Sequence, residues 1–198
     1  MTHIISLTGP AHCGKSTISH MFKECEGNGF RPIQISKYTT REPRKSDKDV
    51  ICVKKLPSNC DLVYEQYGVR YGVELENLYK KLEAGYSPII VINDIRAVED
   101  LKTVFGSLVY PVFLYRKPAD LNDFLTEEKV RASREISDDY IDKNARTRYE
   151  KAQAIYRIYI ENIQLFNKVI LKTSTKENAM LQVKCIVQNL QRQMKGLE

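Results

Sequence analysis

The chain has 198 residues, 42% of them hydrophobic and 28% charged, with a formal net charge of +6. That length and composition suit one α/β domain with a sizeable core and exclude a disordered or fibrous chain. No apolar run approaches the roughly 18 residues that span a bilayer. The start, Met1-Thr2-His3-Ile4-Ile5, lacks the basic and long apolar regions of a secretory leader, so a cytoplasmic protein with no membrane partner is expected.

Ile4-Ile5-Ser6-Leu7-Thr8 reads as a buried parallel strand. Gly14 to about Glu26 carries helical spacing (Ile18, Met21, Phe22, Cys25) and is stopped by Gly27-Asn28-Gly29. Phe30 to Ile35 is a second short strand, and Ser36 to about Lys55 reads as a charged, loop-bearing excursion. Leu75 to Ala84 is an amphipathic helix ended by Gly85, and Pro88 to Asp94 is the most apolar strand. Val98 to Val104 predicts a short helix and Tyr110 to Tyr115 a strand. Ala119 to about Ile163 is helical and heavily charged; Phe166 to Leu171 is a final strand and Glu177 to about Met194 a closing helix. Strands alternating with helices predict a parallel sheet covered on both faces.

The first strand runs into Gly9-Pro10-Ala11-His12-Cys13-Gly14-Lys15-Ser16 and then a helix, which is the context of a phosphate-binding P-loop. Backbone amides of the loop and the positive helix end would face the phosphates of ATP. Lys15 would reach the β- and γ-phosphates, Ser16 would ligate Mg²⁺, and Thr17 completes the ATP-binding run. Asp94, ending the most apolar strand, suits a role on metal or acceptor, or simply caps the next segment. Arg41 and Arg44, held by Pro43, can fork onto one phosphate.

The five cysteines (Cys13, Cys25, Cys52, Cys60, Cys185) have no zinc-site spacing and are expected to be structural thiols. Cys13, beside a helix N-terminus, is the one expected to be reactive. The three histidines share no spacing and no acid partner. Lys and Arg fall in several clusters rather than one tract, favouring a groove for a small phosphorylated substrate over nucleic acid.

In its order of motifs, from the P-loop through Tyr38-Thr39-Thr40-Arg41-Glu42-Pro43-Arg44 and Tyr67-Gly68-Val69-Arg70-Tyr71-Gly72 to a strand ending in Asp94, the chain resembles the guanylate kinase family. The resemblance implies a three-layer P-loop kinase with a central parallel sheet, a small acceptor-binding insert and a helical lid. It divides the chain into a core of about 1–35, 75–125 and 150–198, an insert of about 36–74 and a lid of about 126–149. It implies transfer of the γ-phosphoryl group of ATP to GMP or dGMP, with Mg²⁺, by a monomer or homodimer. Ser36, Arg41, Arg44, Tyr71 and Asp94 would hold the acceptor, and Lys15, Asp94, Arg134 and Arg146 would serve the transfer. Arg131 and Arg148 flank the lid arginines, and Lys172-Thr173-Ser174-Thr175 would border adenine by position.

The chain departs from that family at Val50, Val73 and Ile92, each standing where a polar group would read guanine or its phosphate. Tyr71-Gly72-Val73, Glu83-Ala84-Gly85, Val91-Ile92-Asn93 and Arg96-Ala97 are also similar to ribose 1,5-bisphosphate phosphokinases, which leaves a sugar phosphate open as acceptor. A guanylate kinase-like scaffold that binds peptides is a further class, set against the intact Lys15-Ser16 pair.

Overall fold

The computed structural model describes residues 2–10, 13–43, 49–66, 68–116, 120–131, 138–171 and 175–196, apart from the side chains of 127, 128, 130, 131 and 138–140. Five strands form the central sheet: β1 (Ile4–Thr8), β2 (Pro32–Gln34), β7 (Ser87–Val91), β8 (Val109–Tyr115) and β9 (Lys168–Leu171), in the order β2-β7-β1-β8-β9. Every pairing in it is parallel, with Ile5 opposite Ile89 on one side and Tyr110 on the other. β1 and β7 are buried along their whole length, as continuous apolar runs in a sheet covered on both faces must be.

Alternation along the strands splits the core. Ile5, Leu7, Ile89 and Val91 face α1 (Lys15–Glu24) and α6 (Lys176–Met194), which contribute Ile18, Phe22, Val183 and Val187. Ile4, Ile90 and Ile92 face α2 (Leu75–Glu83) and α3 (Ile95–Phe105) through Leu78, Val98 and Leu101. The result is a helix–sheet–helix sandwich with β1 at its centre. The outer strand β9 ends on Leu171, whose N–H donates to the Gln182 side-chain oxygen and whose carbonyl accepts from the Gln182 amide nitrogen, each at 2.8 Å.

The stretch read as a loop-bearing excursion folds further than its polarity suggests. Residues 37–39 form β3 (Lys37–Thr39) and residues 50–52 form β4 (Val50–Cys52). Together with the hairpin of β5 (Leu62–Gln66) and β6 (Val69–Val73), which the sequence reading did not assign, they build a second sheet in the order β4-β3-β6-β5. Leu62 and Tyr64 of β5 and Val73 of β6 turn inward onto the α2–α3 layer, so this sheet shares the main core. Strands of three residues are too short to print a period on the sequence.

Two helix boundaries also differ. α3 starts at Ile95, three residues before the expected start, because the Asp94 carboxylate accepts the Ala97 N–H at 2.8 Å and caps it there. The long charged helical run is two helices, α4 (Leu121–Arg131) and α5 (Asp138–Glu161), packed together through Phe124 and Tyr149 at a 6.1 Å ring separation.

Candidate functional site

The loop between β1 and α1 is fixed by close packing and by one left-handed residue. A side chain at Gly9 would place its Cβ 2.9 Å from the Leu114 carbonyl oxygen and 2.7 Å from the Cys13 sulfur, so only glycine fits there. Gly14, with φ 90° and ψ 28°, takes a conformation that glycine adopts at no steric cost, and starts α1. Its carbonyl accepts the Ile18 N–H at 3.0 Å. The Lys15 ammonium lies within the loop, donating to the carbonyls of Gly9 and Pro10 at 2.8 and 2.7 Å.

Cys13 is completely buried beneath Gly9, with the Lys15 ammonium 3.7 Å from its sulfur. Burial removes the access that reactivity needs, so Cys13 fills space in the core and the reactive reading is corrected. Ala11 and His12 lie outside the described residues.

Ser16 and Thr17, exposed on the first turn of α1, open onto a cleft of about 520 Å³ that is also bordered by Lys23, Gln34, Asp49 and Val91. The cleft sits at the carboxyl ends of β2 and β7, which contribute Gln34 and Val91, where open parallel sheets bind ligands. A positive helix start, a lysine ammonium and a backbone without Cβ fit a polyphosphate. Among the described residues no three His, Cys, Asp or Glu side chains group as a metal cage. Mg²⁺ needs none, because it draws most of its ligands from water and substrate phosphates; the Ser16 hydroxyl fits as its protein ligand.

Asp94 is half-buried at the end of β7, with one carboxylate oxygen committed to the cap of α3. Of the two alternatives that its position suggested, the cap is present, and it engages one of the two carboxylate oxygens. Next to it, the Asn93 backbone carbonyl accepts from Tyr159 at 2.7 Å and from Gln66 at 3.1 Å, tying α5 and β5 to the same strand end.

Arg41 follows a firmly held strand end. The Thr40 N–H donates to the Arg70 carbonyl at 3.0 Å, the Arg70 N–H to the Thr40 hydroxyl at 3.1 Å, and the Val53 N–H to the Thr39 carbonyl at 2.8 Å. The Arg41 guanidinium donates to the Glu42 carbonyl at 3.0 Å. Tyr71 on β6 stacks on Tyr64 with ring centres 5.2 Å apart and planes 16° from parallel. Ser36 is exposed. Arg44 lies outside the described residues.

Of the lid arginines, Arg146 stands on α5 in an exposed ion pair with Asp142, one turn back, at 2.7 Å. The Arg148 guanidinium lies 5.4 Å from the centre of the Phe124 ring. Arg131 is the last residue of α4, its side chain not described; Arg134 and 172–174 lie outside the described residues.

Two residues that the sequence reading passed over stand among these groups. Asp49 borders the cleft together with Ser16. Lys37 of β3 is 5% exposed, and its ammonium donates to the Tyr64 hydroxyl at 3.1 Å and to the Val91 carbonyl. It also lies over the Tyr71 ring, 4.9 Å from the centroid. Burial pulls the Lys37 ammonium down to about 8, with Lys15 and Arg41 pushing the same way and Asp49 opposing. Burial also holds the Tyr64 phenol well above its ordinary range. The available signal was strand alternation, which puts Lys37 and Thr39 on one face.

No protein-family model matches the chain, and no curated protein does. Among solved structures, guanylate kinase from Anaplasma phagocytophilum is similar over 96% of this chain and 86% of its own, at 19% identity and a TM-score of 0.62. The YorR protein from Bacillus subtilis, solved in complex with phosphorylated GDP, aligns over 97% of this chain and 98% of its own at 15% identity and a TM-score of 0.46. A gluconokinase from Sinorhizobium meliloti 1021 aligns over 97% of each chain at 11% identity and a TM-score of 0.47. The fold of this chain is that of the P-loop kinases: a mixed α/β layer structure around a parallel five-stranded sheet.

Proposed function

We propose that the chain is an ATP- and Mg²⁺-dependent phosphotransferase that moves the γ-phosphoryl group to a small monophosphorylated acceptor, with GMP and dGMP first among the candidates. The observation that carries this reading is the position of Lys15 and Ser16 at the carboxyl end of the central strand, where Ser16 opens onto a cleft bordered by Asp49. In this reading the amides of residues 10–17 and Lys15 hold the donor phosphates, and Ser16 would hold Mg²⁺, which would supply neutralisation of the phosphate charge. Arg41, Arg44 and Tyr71 grip the acceptor phosphate, Ser36 borders it and Asp94 orients it. Residues 36–74 serve as the acceptor-binding insert and residues 126–149 as a lid whose closure keeps water from the transfer. Arg134 and Arg146 place positive charge on the moving group.

The second reading, a sugar bisphosphate acceptor, draws on one observation. Val73 and Ile92, which stand where guanine readers would be, are both fully buried in the apolar layer under α2 and α3. Side chains there present no polar edge to a base, and a site without such edges discriminates bases poorly.

A coupled ADP-release assay with Mg²⁺-ATP across GMP, dGMP, AMP, UMP, CMP and ribose 1,5-bisphosphate tests both. Turnover of GMP or dGMP supports the first reading, and turnover of the bisphosphate alone supports the second. Inertness toward all six removes both readings.

A further inference from the structure

Lys37 is the one lysine or arginine buried among the described residues. An ammonium taken out of water is costly to bury unless an anion pairs with it. Here the two hydrogen-bond partners, the Tyr64 hydroxyl and the Val91 carbonyl, are both uncharged, and the flanking Tyr64 and Tyr71 rings are uncharged as well. Among the described residues no carboxylate forms an ion pair with it. A lysine has three N–H donors, so one remains beyond the two that are used.

A strut between the sheets would explain the bond from β3 to Val91, but a neutral donor would serve as well and spare the cost of the charge. The surroundings point elsewhere. Val91 and Asp49, which border the cleft, touch Lys37 from two sides: one through its ammonium, the other through its backbone N–H at 3.1 Å. Among the described residues, the charges of Lys15 and Arg41 also act on it, opposed by that of Asp49. A buried ammonium with a spare donor, bonded to a residue that borders the cleft, marks the place of an oxygen-bearing ligand.

We infer that the third N–H of Lys37 meets an oxygen of the acceptor, so that the acceptor presents a keto or anionic oxygen at this point and never an amino group. The inference rests on the proposed kinase reading and names the acceptor chemistry that reading left open. An ammonium only donates, so an amino group would set two donors against each other. A lost or reversed hydrogen bond to a charged group is worth roughly tenfold to a hundredfold in affinity.

Two matched pairs test it: GMP against 2,6-diaminopurine riboside monophosphate, and UMP against CMP. Each is assayed for turnover with Mg²⁺-ATP and, separately, for binding by calorimetry, on the natural chain, Lys37→Met and Lys37→Arg. The natural chain is expected to prefer the oxygen-bearing member of at least one pair by about tenfold or more. Lys37→Met should bring that ratio to within about threefold, while Lys37→Arg keeps most of it and ATP binding stays unchanged. An undiminished ratio in folded Lys37→Met, or no preference in the natural chain, overturns the inference. If Lys37→Met fails to fold, Tyr64→Phe decides: it removes a neutral partner and keeps the ammonium, so the preference must survive. Binding with the expected preference but without turnover leaves the inference standing while the phosphotransferase reading fails. Neither binding nor turnover of any of the four brings down both.

Discussion

The two sheets meet where Lys37 reaches Val91, and they are made differently. In the central sheet β1 and β7 are buried at every position, and the P-loop rests on that layer through Gly9 and Cys13 with no room to spare. In the second sheet β5 alternates buried and exposed residues, strands are as short as three residues, and the interior holds a lysine and two tyrosines. A layer of close-packed apolar strands places backbone with little freedom, which suits a phosphate cradle made of backbone. A sheet with polar interior positions offers side chains that can be exchanged without dismantling the core. Under the proposed function, the donor half is therefore fixed by shape and the acceptor half by chemistry.

Breaking the donor half should have the largest effect. Lys15→Ala is expected to lower ATP turnover by about a thousandfold, the scale seen when one fixed electrostatic donor is lost from a transfer site. ADP release measures it, and unchanged turnover would remove the catalytic reading of the loop. Stability should separate the halves next. Gly9→Ala forces a Cβ against the Leu114 backbone and is expected to cost about 2–3 kcal/mol, lowering Tm by roughly 5–10 °C. Gly72→Ala on β6 meets instead only side-chain atoms, the Cys60 sulfur at 2.7 Å and its Cβ at 2.9 Å among them, and no backbone oxygen. It should cost about 1 kcal/mol and be relieved by Cys60→Gly. Equal losses in thermal melts would contradict the contrast drawn here.

A third expectation concerns pH. Burial lowers Lys37 from its ordinary 10.5 to about 8, among Asp49, Lys15, Arg41 and the rings of Tyr64 and Tyr71. The ammonium is thus charged below about pH 8 and neutral above it, so acceptor kcat/KM should fall through an alkaline limb near 8. Lys37→Arg should move that limb beyond the measured range. The stability sign is opposite to that of an ion pair. The unfolded chain holds this proton to higher pH, so the cost of burying the charge is complete below about 8 and fades between about 8 and 10.5. Denaturant melts of the natural chain relative to Lys37→Met should show relative stability rising across that window. The smallest effect is expected at Arg146, whose ion pair with Asp142 is exposed. Arg146→Ala should leave Tm unchanged, so any fall in kcat reports on transfer alone; an unchanged kcat removes Arg146 from the lid reading.

Much of the central sheet was legible because its strands are uninterrupted apolar runs and its loop is a spaced motif of backbone requirements. Gly9, Gly14 and Lys15 carry their reasons in their spacing. The second sheet was not legible in the same way. Lys37–Thr39 and Val50–Cys52 are too short to show a period, and the polar residues between them resemble a loop. Leu62, Tyr64 and their exposed neighbours did carry an alternation of period two, which was passed over. Lys37 could not be recognised as buried from its own identity, since lysines are almost always exposed; only the pairing of its strand β3 with β6 and its reach to Val91 place it inside. Cys13 failed for the reverse reason: its motif suggested reactivity, and packing removed it from reach.

The amide of Gln182 has a consequence for how the molecule behaves in company. By both giving and accepting at Leu171, it imitates the partner that an outermost strand lacks. A stray strand arriving from another molecule, or from this chain while it is still folding, would find those two polar groups already occupied. One side chain from the closing helix thus acts as a counterfeit neighbour at the end of β9, discouraging edge-to-edge growth where Val169 and Leu171 are otherwise open to water.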